Sequence, residues 1–216
     1  QAAARVLFGE EEPKTVKLTV PKGLTLCIPV HSVQKDEGQA QASVCKDSGD
    51  DPDVTDHIEV VVSIQPNPTP GITIQGGQGV GRVTKPGLEM PVGEAAINKT
   101  PRRMIREQVE LVQQEHPEWE GVGLLVTVSI PKVEEIAKKT YNPRLGIEGG
   151  ISVLGTSGIV EPMSQQALLD TLQIEIHQAA LKSRRLILAP GNYGLDYLAA
   201  NYPTLHEIPV LSLIHI

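Results

Sequence analysis

Aromatic side chains are scarce in this chain of 216 residues, where they make up 3% of the composition. Phe8 is the one phenylalanine and Trp119 the one tryptophan, so we expect an aliphatic core. Proteins that bind single-stranded nucleic acids rely on aromatic stacking, which this composition does not favour. A net charge of −7 argues against nucleic acid in general, because phosphates are bound by basic surfaces. We therefore expect no nucleic-acid partner.

Membrane, metal and nucleophile signatures are also missing from the sequence. No apolar run approaches the length of a membrane span, so no membrane partner is expected. The two cysteines, Cys27 and Cys45, have no CxxC spacing, and they are predicted to be buried thiols of a reducing, cytoplasmic compartment. No HExxH, HxxxH or GxSxG motif is present, which leaves little support for a metal site or for nucleophilic catalysis.

The order of the predicted elements indicates an α+β domain followed by a parallel α/β domain. Alternating segments predict strands at 14–20, 24–30, 41–46, 57–64, 71–75 and 122–130, of which the first two form a hairpin. Helices are predicted from Thr100, with Thr100 as N-cap, to His116 and over 131–140. Beyond residue 150 strands alternate with helices: strands at 151–155, at 185–189 and in IPVLSLI, and helices over 164–183 and 195–202.

The proposed domain boundary is the proline- and glycine-bearing segment 142–150. We expect a mixed-sheet α+β domain over residues 1–141 and a Rossmann-like parallel domain, incomplete, over residues 142–216. The glycine-rich segment GGQGVGRVTKPG (76–87) lacks the Gly-Lys-Ser/Thr ending of a phosphate loop. It is predicted to be a loop or a hairpin.

Three arginines, Arg102, Arg103 and Arg106, fall in the first two turns of the predicted helix. Positive charge is unfavourable there because the helix dipole is already positive at its N-terminus, and Arg102 and Arg106 repel each other at a spacing of four. A bound anion would reverse both effects. The alternative, pairing with acidic residues elsewhere in the fold, is equally compatible with the residue pattern.

Two glycine turns, GTSG (155–158) and PGNYG (190–194), each follow a predicted strand and precede a helix. Open α/β sheets bind ligands at this carboxyl edge, and glycine lets the backbone approach a ligand closely. Ordinary tight turns are the alternative for both.

The segment KDSGDDPDVTD (46–56) places five aspartates in one loop between two predicted strands. A helix–loop–helix calcium site that starts at Asp51 is excluded, because its sixth and twelfth positions would be Asp56 and Val62. A solvated turn and a functional acidic loop both remain open. Mutual repulsion of the carboxylates favours some compensating partner.

Five motifs occur in an order that resembles the cobalt-precorrin-5B C(1)-methyltransferase family of anaerobic cobalamin biosynthesis. They are KDSGDDPDVTD, GGQGVGRVTKPGL, PVGEAAINKTPRRMIRE, NPRLGIEGGISVLGTSGIVEPMS and LAPGNYG. The resemblance covers residues 2–194. A GYTTG-like opening and a distal SNFIG-like segment of the family are absent, so we expect a fragment, and LSLIHI as its foreign end.

The resemblance implies methylation of C-1 of a cobalt-corrinoid with S-adenosyl-L-methionine as methyl donor, cobalt being part of the substrate only. A chain that binds the corrinoid without turnover is the alternative, and a homo-oligomer is left open. The substrate's carboxylates suggest a cationic binding set, formed by Lys85, Arg102, Arg103, Arg106 and Arg144. Candidate donor contacts are Thr156, Gly158, Gly191 and Asn192, and candidate catalytic acids are Asp50, Asp51 and Asp53. The aspartates are expected to pair with arginines or to face the donor.

Overall fold

The structure is a computed structural model that describes residues 1–49, 54–155, 158–159, 165–189, 191–203 and 208–212, the side chains of 165–168, 192, 211 and 212 excepted. The chain divides into two compact units. Unit 1 comprises residues 1–84 and 89–162, and unit 2 comprises residues 85–88 and 163–216. The class is mixed α/β, as the sequence predicts at this level.

Unit 1 holds most of the regular structure. In chain order its elements are α1 (Ala2–Leu7), β1 (Thr15–Thr19), β2 (Thr25–Pro29), β3 (Ser32–Asp36), β4 (Gln39–Cys45), β5 (Glu59–Asn67), β6 (Ile72–Gly76), β7 (Gly79–Val80), β8 (Arg82–Val83), α2 (Lys99–Gln114), a 3₁₀ turn (Pro117–Trp119), β9 (Gly123–Ser129), α3 (Glu134–Ala137), α4 (Asn142–Leu145), β10 (Ile147–Glu148) and β11 (Gly150–Ile151).

A five-stranded mixed sheet of order β3-β4-β5-β9-β6 forms the centre of this unit. All neighbouring strands are antiparallel except β6 and β9, which run parallel with Ile74 opposite Val126. Strand β9 lies inside the sheet, and its Leu124, Val126 and Val128 are almost fully buried. Each such aliphatic side chain contributes about 1.5–3 kcal/mol on burial. They share one aliphatic core with Val109 and Val112 of α2.

The predicted hairpin of β1 and β2 is confirmed, with Val16 opposite Ile28. Its tight turn ends at Gly23, whose positive φ of 81° suits glycine. The prediction that the two cysteines are buried is wrong, because Cys27 and Cys45 are both exposed. Cys27 lies on the outward face of β2, where residues alternate between exposed and half-buried.

The glycine-rich segment is neither a free loop nor a hairpin. Its short strands β7 and β8 pair with β11 and β10 rather than with each other. The backbone passes close to β9, because the Gly77 N–H donates to the Val128 carbonyl oxygen at 2.7 Å and the Ile130 N–H donates to that of Gln78 at 2.7 Å. A Cβ at Gly79 would overlap the carbonyl oxygen of Ile130, so only glycine fits this crossing.

Residues 142–162 belong to unit 1, although the sequence predicts the boundary at residue 142. Ile151 pairs with Val80, and Val153 forms a parallel bridge to Ile97. The segment 151–155 is therefore not the first strand of the second domain's sheet. A short strand of this kind has the same sequence pattern in either place, and its long-range partners decide where it belongs.

Unit 2 contains α5 (Gln165–Ala180), β12 (Ile187–Ala189), α6 (Gly191–Asn201) and β13 (Val210–Ser212). Strands β12 and β13 are parallel, with Ile187 opposite Val210, and α6 connects them. The predicted PGNYG turn is corrected here, because the chain is helical from Gly191 onward. Within the described ranges, no helix has both the length and the apolarity that a membrane span requires.

Two alanine substitutions test the glycine crossing. Gly79 and Gly121 have nearly equal φ angles, 76° and 74°, but nothing lies within 4 Å of a Cβ built on Gly121. We expect Gly121→Ala to lower the free energy of unfolding by about 1–2 kcal/mol through backbone strain alone. Gly79→Ala adds the clash and is expected to cost more than about 4 kcal/mol. Urea unfolding measures both, and equal losses would contradict the close approach.

Candidate functional site

Helix α2 begins at Lys99, and its N-cap is Asn98 rather than the predicted Thr100, two residues further along. The Asn98 side chain makes no capping bond. Instead, the Lys99 N–H donates to the Glu89 carboxylate at 3.1 Å. A carboxylate at this end is favourable, because it offsets the positive end of the helix dipole where the arginines lie.

Arg102 turns inward from α2 and is 17% exposed. Its guanidinium donates to three backbone carbonyl oxygens, those of Ile97 at 2.8 Å, Ile74 at 2.9 Å and Ala95 at 3.3 Å. The Glu94 carboxylate lies 3.8 Å away. Arg102 therefore ties the start of α2 to β6, which is an edge strand, and it satisfies carbonyl groups there. Its donors are directed at the backbone rather than at a ligand.

Three other cations share the outward face of α2. Lys99, Arg103 and Arg106 are exposed, and their spacing of four and three places them on one side of the helix. We call this set the cationic face. Arg103 lies 3.8 Å from Glu107, an exposed pair worth at most about 1 kcal/mol. Sequence reasoning missed Lys99, although its helical spacing with Arg103 and Arg106 was the available signal.

The remaining predicted cations lie on other elements. Arg144, at the end of α4, is exposed and sits over the ring of Tyr141 with 5.5 Å to its centroid. Lys85 is exposed and belongs to unit 2. Of the five predicted cations, the structure brings Arg103 and Arg106 together on one exposed face.

The aspartate-rich loop joins β4 to β5, as predicted, and its ends are fixed by backbone pairing. The Lys46 N–H donates to the Ile58 carbonyl oxygen at 2.9 Å, and the His57 N–H donates to that of Lys46 at 3.0 Å. The Lys46 ammonium also donates to the Thr55 hydroxyl at 2.6 Å. Asp50, Asp51 and Asp53, the candidate catalytic acids, lie outside the described residues.

The two described acids of this loop, Asp47 and Asp56, accept hydrogen bonds from the loop itself. Asp56 accepts from the Ser48 N–H at 2.9 Å and contacts the His57 ring, while Asp47 accepts from the Gly49 N–H at 2.9 Å. The Ser48 N–H and then His57 lower the pKa of Asp56. Among the described residues the partners of these two acids are Ser48, Gly49 and His57 rather than arginines, and the expectation that the loop faces the methyl donor stays a prediction.

Of the two candidate methyl-donor turns, GTSG belongs to unit 1, and Gly191 of PGNYG belongs to unit 2. A Cβ at Gly158 would meet Val20 at 2.7 Å, so this glycine serves packing against the β1–β2 hairpin. Thr156 lies outside the described residues, as does the side chain of Asn192 in α6. Among the described residues, no three His, Cys, Asp or Glu side chains are grouped as a metal site would require.

An apolar cavity of about 430 Å³ lies within unit 1. Its walls come from the β1–β2 hairpin, the sheet and α2, and include Leu18, Ile28, Val62, Val126, Met104 and Gln108. The Gln108 Oε1 is buried and has no hydrogen-bond partner within the described part of the chain. On the helix, these positions lie opposite the cationic face. An ionised polycarboxylate cannot enter such a lining without a large desolvation cost.

The family model described as CbiD matches residues 1–162 of this chain. A cobalt-precorrin-5B C(1)-methyltransferase of Alkaliphilus metalliredigens (strain QYMF) is 44% identical over 203 residues, which are 94% of this chain and 52% of the relative. One of Ruminiclostridium cellulolyticum is 46% identical over 198 residues, 91% of this chain and 51% of the relative. The chain thus spans about half the length of the curated relatives it matches.

Among solved structures, the crystal structure of the cobalamin biosynthesis protein cbiD from Archaeoglobus fulgidus is similar to this chain. The TM-score is 0.54 and the sequence identity 30%, over 97% of this chain and 65% of that chain. The likeness supports the mixed α/β fold class.

Neighbouring arginines are expected to respond differently to the same substitution. Arg102→Gln leaves backbone carbonyl oxygens without donors and is expected to lower the free energy of unfolding by about 2–3 kcal/mol. Arg103→Gln, the matched control, removes only an exposed charge and is expected to change it by less than about 1 kcal/mol. Urea unfolding measures the free energy of unfolding of both variants. A similar decrease in the two would contradict the anchoring role of Arg102.

Proposed function

Because the chain belongs to the CbiD family, we propose that it serves the methylation of carbon C-1 of cobalt-precorrin-5B, with S-adenosyl-L-methionine as methyl donor and cobalt-precorrin-6A as product. The observation that carries this proposal is the 44–46% identity, over more than nine-tenths of the chain, to relatives with that activity in their names. The activity is that of proteins about twice this length, and it is proposed for this chain on that basis.

The chemistry asks for positioning more than for reactive side chains. The donor supplies an electrophilic methyl group on sulfur, and a carbon of the macrocycle is the nucleophile. A carbon–sulfur bond breaks with its electron pair leaving on sulfur, and a carbon–carbon bond forms, so no covalent intermediate with the protein is needed. The task of the chain is to hold the reacting carbon and the methyl group in line.

Thr156, Gly158, Gly191 and Asn192 are proposed as contacts of the methyl donor on the residue pattern and the family resemblance alone. Among them, Gly158 packs against Val20 within unit 1, and Gly191 begins α6 of unit 2. The apolar cavity offers few polar side chains, Ser43 and Gln108 among them, whereas an amino acid and a ribose require several. We assign no step of the transfer to these residues.

The cationic face is the proposed contact for the corrinoid. The substrate carries acetate and propionate groups, and guanidinium groups bind carboxylates in a two-pronged geometry. Arg103 and Arg106 are exposed on α2 beside Lys99, so their donors can reach a ligand from solvent. Arg144 is proposed as a further contact from α4. Arg102 is left out of this set because it is bonded to the backbone.

Three finer proposals accompany the activity. Unit 2 is proposed to be part of a Rossmann-like domain, supported by the parallel pair β12–β13 with α6 between its strands. A cytoplasmic location is proposed, because Cys27 and Cys45 are free thiols and reducing compartments keep thiols reduced.

Asp50, Asp51 and Asp53 are proposed catalytic acids on the residue pattern and the family resemblance alone.

Methyl transfer is tested by incubating the 216-residue chain with cobalt-precorrin-5B and methyl-labelled S-adenosyl-L-methionine. Label at C-1 of the corrinoid is the expected result. Binding of the corrinoid, seen as a shift of its absorption bands, without transfer of label would favour a corrinoid-binding protein instead. If the chain shows no corrinoid binding and no methyl transfer, the proposal for this chain is overturned.

The double variant Arg103→Gln/Arg106→Gln tests the cationic face. We expect its dissociation constant for cobyrinic acid, a stable corrinoid polycarboxylate, to rise roughly 10-fold at low salt, and the difference to shrink as salt screens the charges. Titration calorimetry measures both. Lys14→Gln/Lys17→Gln removes the same charge from exposed positions of unit 1 and is the control. Equal weakening in the two double variants would reject a local carboxylate contact.

Asp51→Asn separates a catalytic from a structural acidic loop. If Asp51 moves a proton during turnover, kcat should fall by about 10²- to 10⁴-fold while the circular dichroism spectrum and unfolding midpoint stay unchanged. Asp47→Asn is the comparison, because Asp47 only caps the Gly49 N–H. Unchanged kcat in Asp51→Asn would make the loop structural.

A further inference from the structure

The only phenylalanine and the only tryptophan of the chain meet in one cluster at the ends of α1 and α2. Phe8 stacks on Trp119 with 4.5 Å between ring centroids, and its ring also meets the ring of His116 edge-on at 5.4 Å. His116 directly follows the C-cap of α2, and Phe8 is the C-cap of α1. The imidazole therefore sits where the two helices end.

Both ring nitrogens of His116 face carboxylates. The Nε2 atom lies 2.8 Å from Glu10, and the Nδ1 atom lies 3.0 Å from Glu118. A neutral imidazole has one N–H and can donate to only one of these acceptors, whereas the imidazolium donates to both. The His116 side chain is 18% exposed, so water replaces a lost bond only in part.

The charges around His116 come from every neighbouring segment. Arg5 of α1 donates to Glu10 at 2.8 Å and to Glu115, the C-cap of α2, at 2.9 Å. With two cations and three carboxylates, the protonated cluster has a net charge of −1, and it becomes −2 when His116 loses its proton. From β3, Lys35 reaches only the Leu7 carbonyl oxygen at 3.5 Å. Among the described residues, Arg5 is then the cation that remains bonded to these carboxylates. At the start of α1, burial and then Arg5 lower the pKa of the Gln1 amino group to about 6.

We propose that His116 is a pH-sensitive clamp, in which the imidazolium bridges Glu10 to Glu118 and holds the end of α1 against the end of α2. Loss of its proton releases one carboxylate and loosens the Phe8–Trp119 stack. The clamp is built within unit 1 and does not depend on the proposed methyl transfer.

The direction of the pH dependence follows from the cluster. The Glu10 and Glu118 carboxylates raise the pKa of His116 above its ordinary 6.5. Its contribution to stability is complete below pH 6.5 and is lost as the pH rises through the raised value. The His116 ring lowers the pKa of Glu10 below its ordinary 4.5. The contribution of the Glu10 carboxylate to stability is therefore lost only as the pH falls through this lowered value. The clamp is therefore strongest between about pH 4.5 and 6.5.

Trp119 reports on the clamp because it is the single tryptophan of the chain. We expect acrylamide quenching of its fluorescence to rise about two-fold through one transition above pH 6.5, as local opening exposes the ring. His116→Gln should abolish the transition. His31→Gln, a change at an exposed histidine of the same unit, should keep it. A transition that persists in His116→Gln would overturn the proposal.

Glu118→Gln provides a second test that keeps the histidine and the Glu10 bond. Removing one carboxylate lowers the pKa of His116, so the midpoint of the quenching transition should move to lower pH. An unchanged midpoint would overturn the bridge to Glu118, even if His116→Gln proves too unstable to measure. Titration of the His116 ring by NMR without any change in Trp119 quenching would show protonation without release, and would also overturn the clamp.

Discussion

The close passage of the glycine-rich backbone beside the end of β9 is the constraint on which unit 1 depends. Gly77 donates to Val128, Ile130 donates to Gln78, and Gly81 donates to Ile151. One glycine-rich segment thus joins the central sheet to residues some seventy positions further along the chain. Side chains at Gly77, Gly79 and Gly81 would force these backbones apart. The segment that the sequence predicts to be a loop or a hairpin is a packing junction, and it pairs with the later segment of the same unit.

The sides of helix α2 have different roles. The apolar side packs against the core and lines the cavity, and the outward side carries the cationic face. Arg102 turns inward and bonds to backbone carbonyl oxygens at the edge of the sheet. The positive charges at the wrong end of the helix dipole therefore have two different explanations. Arg102 is compensated by carbonyl dipoles. The exposed cations are compensated by water and Glu107, and in the proposed function by carboxylates of the substrate.

Local patterns predicted the elements well and their partners less well. Alternation and turn residues placed the β1–β2 hairpin, and β4, β5 and β9 lie where apolar runs predict strands. The sequence pattern did not predict β3, whose residues are mostly polar, because an edge strand needs little burial. The pattern of the segment 151–155 fits a strand in either unit, and its pairing with Val80 and Ile97 determines that it belongs to unit 1. The inward turn of Arg102 depends on tertiary acceptors, which helical spacing does not reveal.

The anchoring of Arg102 has a consequence for how natural sequences can vary at two adjacent positions. Lysine is a point charge with one nitrogen and cannot span three carbonyl oxygens set around a planar fork. Exchange of arginine for lysine at position 102 thus disrupts an anchor of the fold, whereas the same exchange at position 103 breaks no bond to the backbone. The sequence motif PRRMIR contains one arginine whose shape the fold itself requires and another whose shape the fold does not use.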